Sequence, residues 1–131
     1  MKGYISNIEK DTLENENFRK VLYTGKTSQL VLMSLMPGEE IGEEVHNDVD
    51  QFFRFEKGQG KVAIDGVEHA VTDGFAVVVP QGARHNVVNT GVEPLKLYTV
   101  YSPPEHQDGV IHVTKSEALV AKEHFDGKTS E

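Results

Sequence analysis

Apolar residues in this chain come in short runs, and each run is closed by a turn-forming residue. QLVLMSLM at 29–36 is apolar and rich enough in β-formers for a buried strand, and Pro37-Gly38 stops it. Further runs are QFFRFEKG (51–58), GKVAIDG (60–66), EHAVT (68–72), GFAVVVP (74–80), HNVVNTG (85–91) and PLKLYTVYS (94–102). Turns are marked by Lys57-Gly58, Asp65-Gly66, Asp73-Gly74 and Thr90-Gly91. An Asp-Gly pair between apolar runs predicts a hairpin, because glycine accepts the positive φ of a primed turn. Short strands at this spacing predict an antiparallel sandwich or closed barrel rather than βαβ units.

Only 115–123 (KSEALVAKE) reads as helical, with Thr114 or Ser116 as its cap. Residues 9–20 are polar without a 3.6-residue period and read as an arm or irregular element, and the tail HFDGKTSE reads as frayed. No repeat or linker divides the chain. The expectation is one all-β domain over 1–131, with a core at about 29–102, an N-terminal arm at 1–28 and a C-terminal extension at 103–131.

Composition narrows the chemistry. A net charge of −8, from 21 acidic and 13 basic residues, disfavours nucleic acid and anionic membranes as partners. No apolar run approaches the roughly 20 residues of a membrane span. MKGYISNIEK lacks the apolar core of a secretory leader, which points to the cytoplasm. Cysteine is absent, so a metal would need His, carboxylate or amide ligands. Glu39, Glu40 and Glu43 read as a solvated face.

Two segments carry the functional signal. The first runs Gly38, five residues, Glu44, one residue, His46, four residues, Gln51, six residues, Gly58. The second runs Gly74, five residues, Pro80, one residue, Gly82, two residues, His85, three residues, Asn89. Residues two apart on a strand share a face, so Glu44 and His46 can chelate one ion. Gln51 shares a face with Phe53 and Phe55, and His85 returns on another strand after the Pro80–Gly82 turn. Glu44, His46 and His85 make a two-His, one-carboxylate set suited to Fe(II), Zn, Mn or Ni with open positions. Tyr101 shares its face with Leu95, Leu97 and Thr99, which makes it a candidate acid, base or hydrogen-bond donor.

These segments resemble the two motifs of the cupin superfamily. The second agrees at every fixed position. The first keeps the spacing but has Glu44 where the family usually has His, and Gln51 where it usually has Glu. The resemblance implies a double-stranded β-helix (jelly-roll) barrel binding one divalent ion, zinc first and Fe, Mn or Ni as alternatives, through Glu44, His46, Gln51 and His85. Within the superfamily the chain is similar to short mannose-6-phosphate isomerase-like cupins, which implies a metal-dependent enzyme of isomerase or lyase type on a small sugar-like or oxygenated substrate. A dioxygenase and a non-catalytic small-molecule-binding cupin stand as alternatives. Glu44 is a base beside the metal in one variant of the reading, and Gln51 a mere hydrogen-bonding group in another. Related cupins pair, so a homodimer is expected, with 1–6 or 29–36 as the exchanged segment. His69, His106, His112 and His124 lie outside the motifs and read as structural.

Overall fold

The computed structural model describes residues 1–131. The chain forms ten strands: β1 (Arg19–Thr24), β2 (Gln29–Leu35), β3 (Glu44–Val45), β4 (Asp50–Lys57), β5 (Gln59–Ile64), β6 (Val67–Thr72), β7 (Ala76–Val79), β8 (Arg84–Asn89), β9 (Leu95–Ser102) and β10 (Ile111–His112). Two short helices flank them, α1 (Ile8–Glu14) and α2 (Lys115–Val120). The strands form two sheets, ordered β10-β1-β2-β9-β4-β7 and β3-β8-β5-β6. All pairings are antiparallel. No helix is long and apolar enough to cross a membrane.

Alternation sends every second side chain of β4 and β9 between the sheets. Gln51, Phe53 and Phe55 on β4 and Leu95, Leu97, Thr99 and Tyr101 on β9 are all buried. They meet Val62 and Val87 of the smaller sheet in one core cluster. Each fully buried large apolar side chain contributes about 1.5–3 kcal/mol. Gly60 sits where the layers touch: a Cβ there would lie 2.8 Å from Leu95 Cδ2 and 2.9 Å from the Val88 carbonyl oxygen.

The structure departs from the sequence reading in three places. Asp65-Gly66 is the predicted hairpin turn, with φ of 47° and 82°, joining β5 to β6. Asp73-Gly74, by contrast, carries the chain from the smaller sheet to the larger, and the Gly74 amide donates to the Phe55 carbonyl. Both turns need glycine's positive φ, and only long-range packing decides whether the next strand pairs back or crosses over.

The segment 9–20 is not irregular. Asn7 caps α1 by accepting from the Lys10 amide at 3.1 Å, and Thr12 is buried beneath the helix. β1 then pairs with β2 from Arg19↔Met33 to Thr24↔Gln29, so the barrel begins ten residues earlier than predicted. Arg19 and Lys20 at its start hide the strand pattern. With α1 above it, Lys96 is buried although it faces away from the core, and its Nζ donates to the Asn15 carbonyl.

The tail is tied down rather than frayed. The Phe125 amide donates to the Glu105 carbonyl and the Ser130 amide to the Thr24 carbonyl. The Glu131 carboxylate accepts from the Lys2 and Gly3 amides and the Tyr23 hydroxyl. β2 pairs with β1 on one edge and with β9 on the other.

Candidate metal centre

β3 is only two residues long, yet it sets the site. It pairs with β8 in the register Glu44↔His85, which puts these residues directly opposite one another. His46 follows immediately, with its Nε2 2.9 Å from Glu44 Oε2. The rings of His46 and His85 are centred 5.4 Å apart. One ligand atom from each of Glu44, His46 and His85 lies within 4.8 Å of the other two. His85 is buried, and its ring meets Phe53 edge-on at 6.3 Å. His85 Nδ1 lies 3.1 Å from the Ala83 carbonyl oxygen, which can only accept. Nδ1 therefore carries the proton, and the Nε2 lone pair is left for a ligand bond.

Gln51 approaches from the opposite sheet, paired with Tyr101 on β9 and Val79 on β7. Its amide orientation follows from its neighbour. Thr99 Oγ1 donates its one proton to the Phe52 carbonyl at 2.8 Å, so it must accept from Gln51 Nε2 at 3.0 Å. Gln51 Oε1 is thereby turned away, fully buried and without a hydrogen-bond partner in the chain. A buried amide oxygen rarely stays unpaired, because its desolvation costs roughly 1–3 kcal/mol. A cation is one partner that would satisfy it, and the two imidazoles and the carboxylate suit the same ion. The residues present fit a divalent metal.

The charges of Glu44 and His46 are coupled. Burial alone would raise the Glu44 carboxyl, but the His46 hydrogen bond and the positive charges of His46 and Arg19 bring it below its ordinary value. The hydrogen bond to Glu44 raises His46, burial opposing it and the charges of Glu44, Glu105 and Asp48 assisting. For a raised histidine, the stability it adds is complete below the unfolded value near 6.5 and is lost as pH rises through the folded one. For a lowered carboxyl, the stability is complete above the unfolded value near 4.5 and is lost as pH falls through the folded one. The pair thus supports the metal-free protein best between about 4.5 and 6.5. A metal needs neutral His46, so loading near pH 6.5 is expected to release about one proton per chain. Calorimetry in buffers of different ionisation enthalpy measures this, and heats independent of buffer would show that His46 is already neutral.

Tyr101 lies edge-on to His46, with centroids 6.1 Å apart. Burial pushes its hydroxyl well above the ordinary range, against the pull of Arg19. Of the three roles open to it from sequence, this environment favours the hydrogen-bond donor over the base. Its Oη is 3.3 Å from His106 Nε2, and His106 Nδ1 is 2.6 Å from Glu123 Oε1. Sequence reasoning treated His106 as structural. The structure brings it from the C-terminal extension to the edge of the site, held through its backbone by the buried Gln29 side chain.

Arg19 was also missed. It is 7% exposed, and its Nη1 donates to His112 Nδ1 at 3.2 Å. Burial, then Arg19, lowers His112, keeping that ring neutral. The only available signal was a basic residue opening an otherwise apolar run, which is hard to distinguish from the end of a polar arm. The other arginines point outward, Arg54 to Glu56 and Arg84 to Glu43. His69 is exposed on β6 and away from the cluster.

A two-sheet antiparallel barrel with a His/His/Glu cluster between its sheets defines a class, and the family model described as the cupin domain matches residues 31–101. The chain belongs to the cupin family. It is 46% identical over 128 residues to the uncharacterized protein YrkC of Bacillus subtilis, covering 93% of this chain and 69% of YrkC. It is 41% identical over 120 residues to the uncharacterized protein L612 of Acanthamoeba polyphaga mimivirus, covering 88% of this chain and 74% of that protein. The crystal structure of BH2720 from Bacillus halodurans superposes with a TM-score of 0.90 at 43% identity, covering 92% of this chain and 96% of that one.

Proposed function

We propose that this cupin is a metal-dependent enzyme acting on a small oxygenated or sugar-like substrate, with isomerase or lyase chemistry. Glu44, His46, Gln51 and His85 would hold one divalent ion, zinc in the first place. The observation that carries the reading is the convergence of Glu44, His46 and His85 on one point, within 4.8 Å. The unpartnered Gln51 Oε1 in the same barrel supports a fourth ligand. Such an ion supplies Lewis acidity toward a carbonyl or hydroxyl oxygen. Tyr101, which keeps its proton, would donate a hydrogen bond to an oxygen of the substrate. In the site as it stands Glu123 takes the Nδ1 proton of His106, so Nε2 accepts from the Tyr101 hydroxyl, whose proton would turn to the substrate oxygen on binding. Similarity to mannose-6-phosphate isomerase-like cupins belongs to this proposal, as does pairing into a homodimer. Such pairing would cover β7, at a free edge of the larger sheet, where Val78 is 64% exposed.

The two-His, one-carboxylate composition favours a second reading, a dioxygenase with Fe(II). Elemental analysis of protein purified without added metal tests both. Zinc or manganese at about one ion per chain supports the first reading. Iron, with oxygen uptake on a diol or diketone, supports the second. Gln51→Ala is expected to weaken binding about tenfold, since it removes a neutral ligand and leaves the other three. No metal even after reconstitution would sink both readings and leave a binding module.

A further inference from the structure

Beneath α2 lies a cavity of about 160 Å³ that touches the candidate metal centre at Glu44. Its lining includes Arg19, Glu44, Glu105, His106, Lys115 and Glu123. Of these, Arg19 is electrostatically out of place. A guanidinium cannot lose its proton in a protein, so a buried one is ordinarily paired with a carboxylate. Arg19 is only 7% exposed, yet it forms no ion pair. Its Nη1 is bonded to the neutral His112 ring, its Cζ lies 5.4 Å over the Phe18 ring, and its Nε has no hydrogen-bond partner in the chain.

The carboxylates around the cavity are engaged elsewhere. Glu123 accepts from the Gln107 amide and lies against His106, and Glu44 is bound to His46. Glu105 sits 3.8 Å from His46 Nδ1. Once Glu44 holds a metal, its charge is no longer free to offset Arg19. Arg19 would then be the uncompensated charge at the cavity wall, with Glu44 as the one proposed ligand it shares the cavity with.

We infer that this cavity is a subsite for a small monocarboxylate, bound by the Arg19 guanidinium at the wall of the chamber that leads to the metal. A carboxylate oxygen can accept from the guanidinium donors that His112 does not occupy. Three glutamates around so small a space disfavour a doubly charged phosphate by like-charge repulsion. The inference rests on the metal reading only for the ligand's second contact, the one made at the ion. It makes the substrate a small organic acid, or an oxygenated compound carrying one carboxylate, rather than a phosphosugar.

The chain has three arginines, so the ¹⁵N spectrum of arginine Nε–H groups should contain three cross-peaks. R54K and R84K identify the Arg19 peak by elimination without touching Arg19. Acetate, its neutral isostere acetamide and inorganic phosphate are titrated into the full chain, first after chelator treatment and then after zinc loading. The Arg19 peak is expected to shift saturably with acetate and to stay still with acetamide. In R19M, the acetate-induced shift of the His106 ring is expected to require about tenfold more acetate. Should R19M not fold, the wild-type titrations decide alone. An Arg19 peak that ignores acetate, or moves equally with acetamide, overturns the inference even if zinc binds. Tighter binding of phosphate than of acetate overturns the monocarboxylate assignment. A response to acetate in a chain that takes up no metal would uphold the Arg19 subsite while the metal reading fails.

Discussion

Replacing His85 with alanine is expected to lower the affinity for a divalent ion by more than about a hundredfold, because loss of even an outer partner of a metal ligand costs 10–100-fold. His85 is singled out among the proposed ligands by its preparation. Its Nδ1 is committed to the Ala83 carbonyl, its ring is packed against Phe53, and it is buried. Glu44 and His46 are less enclosed, with side chains 32% and 14% exposed. The measurement is retained metal after dialysis against a graded chelator, set beside Glu44→Ala and His46→Ala. All three should lose the ion. A His85→Ala chain that keeps metal as tightly as wild type would show that the ion, if bound, sits elsewhere.

Phe53→Ala is the second large effect. The ring is 1% exposed, stacks on Phe55 at a centroid distance of 6.4 Å and supports the His85 imidazole. Removing a buried phenyl group costs about 3–5 kcal/mol, through lost transfer free energy and an incompletely collapsed cavity. Urea unfolding of the metal-free protein should show a lower midpoint at unchanged slope. A loss below about 1 kcal/mol would mean that the neighbouring side chains close over the gap. Because Phe53 forms the wall behind His85, metal affinity should also fall, by less than in His85→Ala.

These two experiments probe different levels of the same arrangement. Packing of β4 against the smaller sheet holds the imidazole still, and the β3–β8 register carries Glu44 to it. The four-ligand centre proposed above would therefore draw on both sheets, with Glu44, His46 and His85 from one side and Gln51 from the other.

Much of this was legible in the chain. Alternation at 51–55 and 95–101 placed Gln51, Phe53, Phe55, Thr99 and Tyr101 inward, since a strand's side-chain period of two leaves no other choice. Motif spacing brought Glu44, His46 and His85 together, because a two-residue step and a tight Pro-Gly turn are local geometry. The strand limits followed the Gly, Pro and Asp punctuation closely, and Thr114 caps α2 as expected. Those features depend on residues near one another in sequence, where local backbone preference and hydrophobic period are sufficient.

Only the tertiary structure decided the rest. Whether Asp73-Gly74 folds a hairpin or crosses between sheets depends on which partner strand is already in place, and that partner is distant in sequence. The strand at Arg19 gains its meaning from β2 and β10, since its own opening residues are charged. His106 reaches Tyr101 because Gln29, more than seventy residues earlier in the chain, binds its backbone. Burial of Arg19 without a carboxylate is likewise a property of the assembled barrel. Charge, pattern and spacing act along the chain; desolvation and long-range pairing exist only once the two sheets have closed on each other.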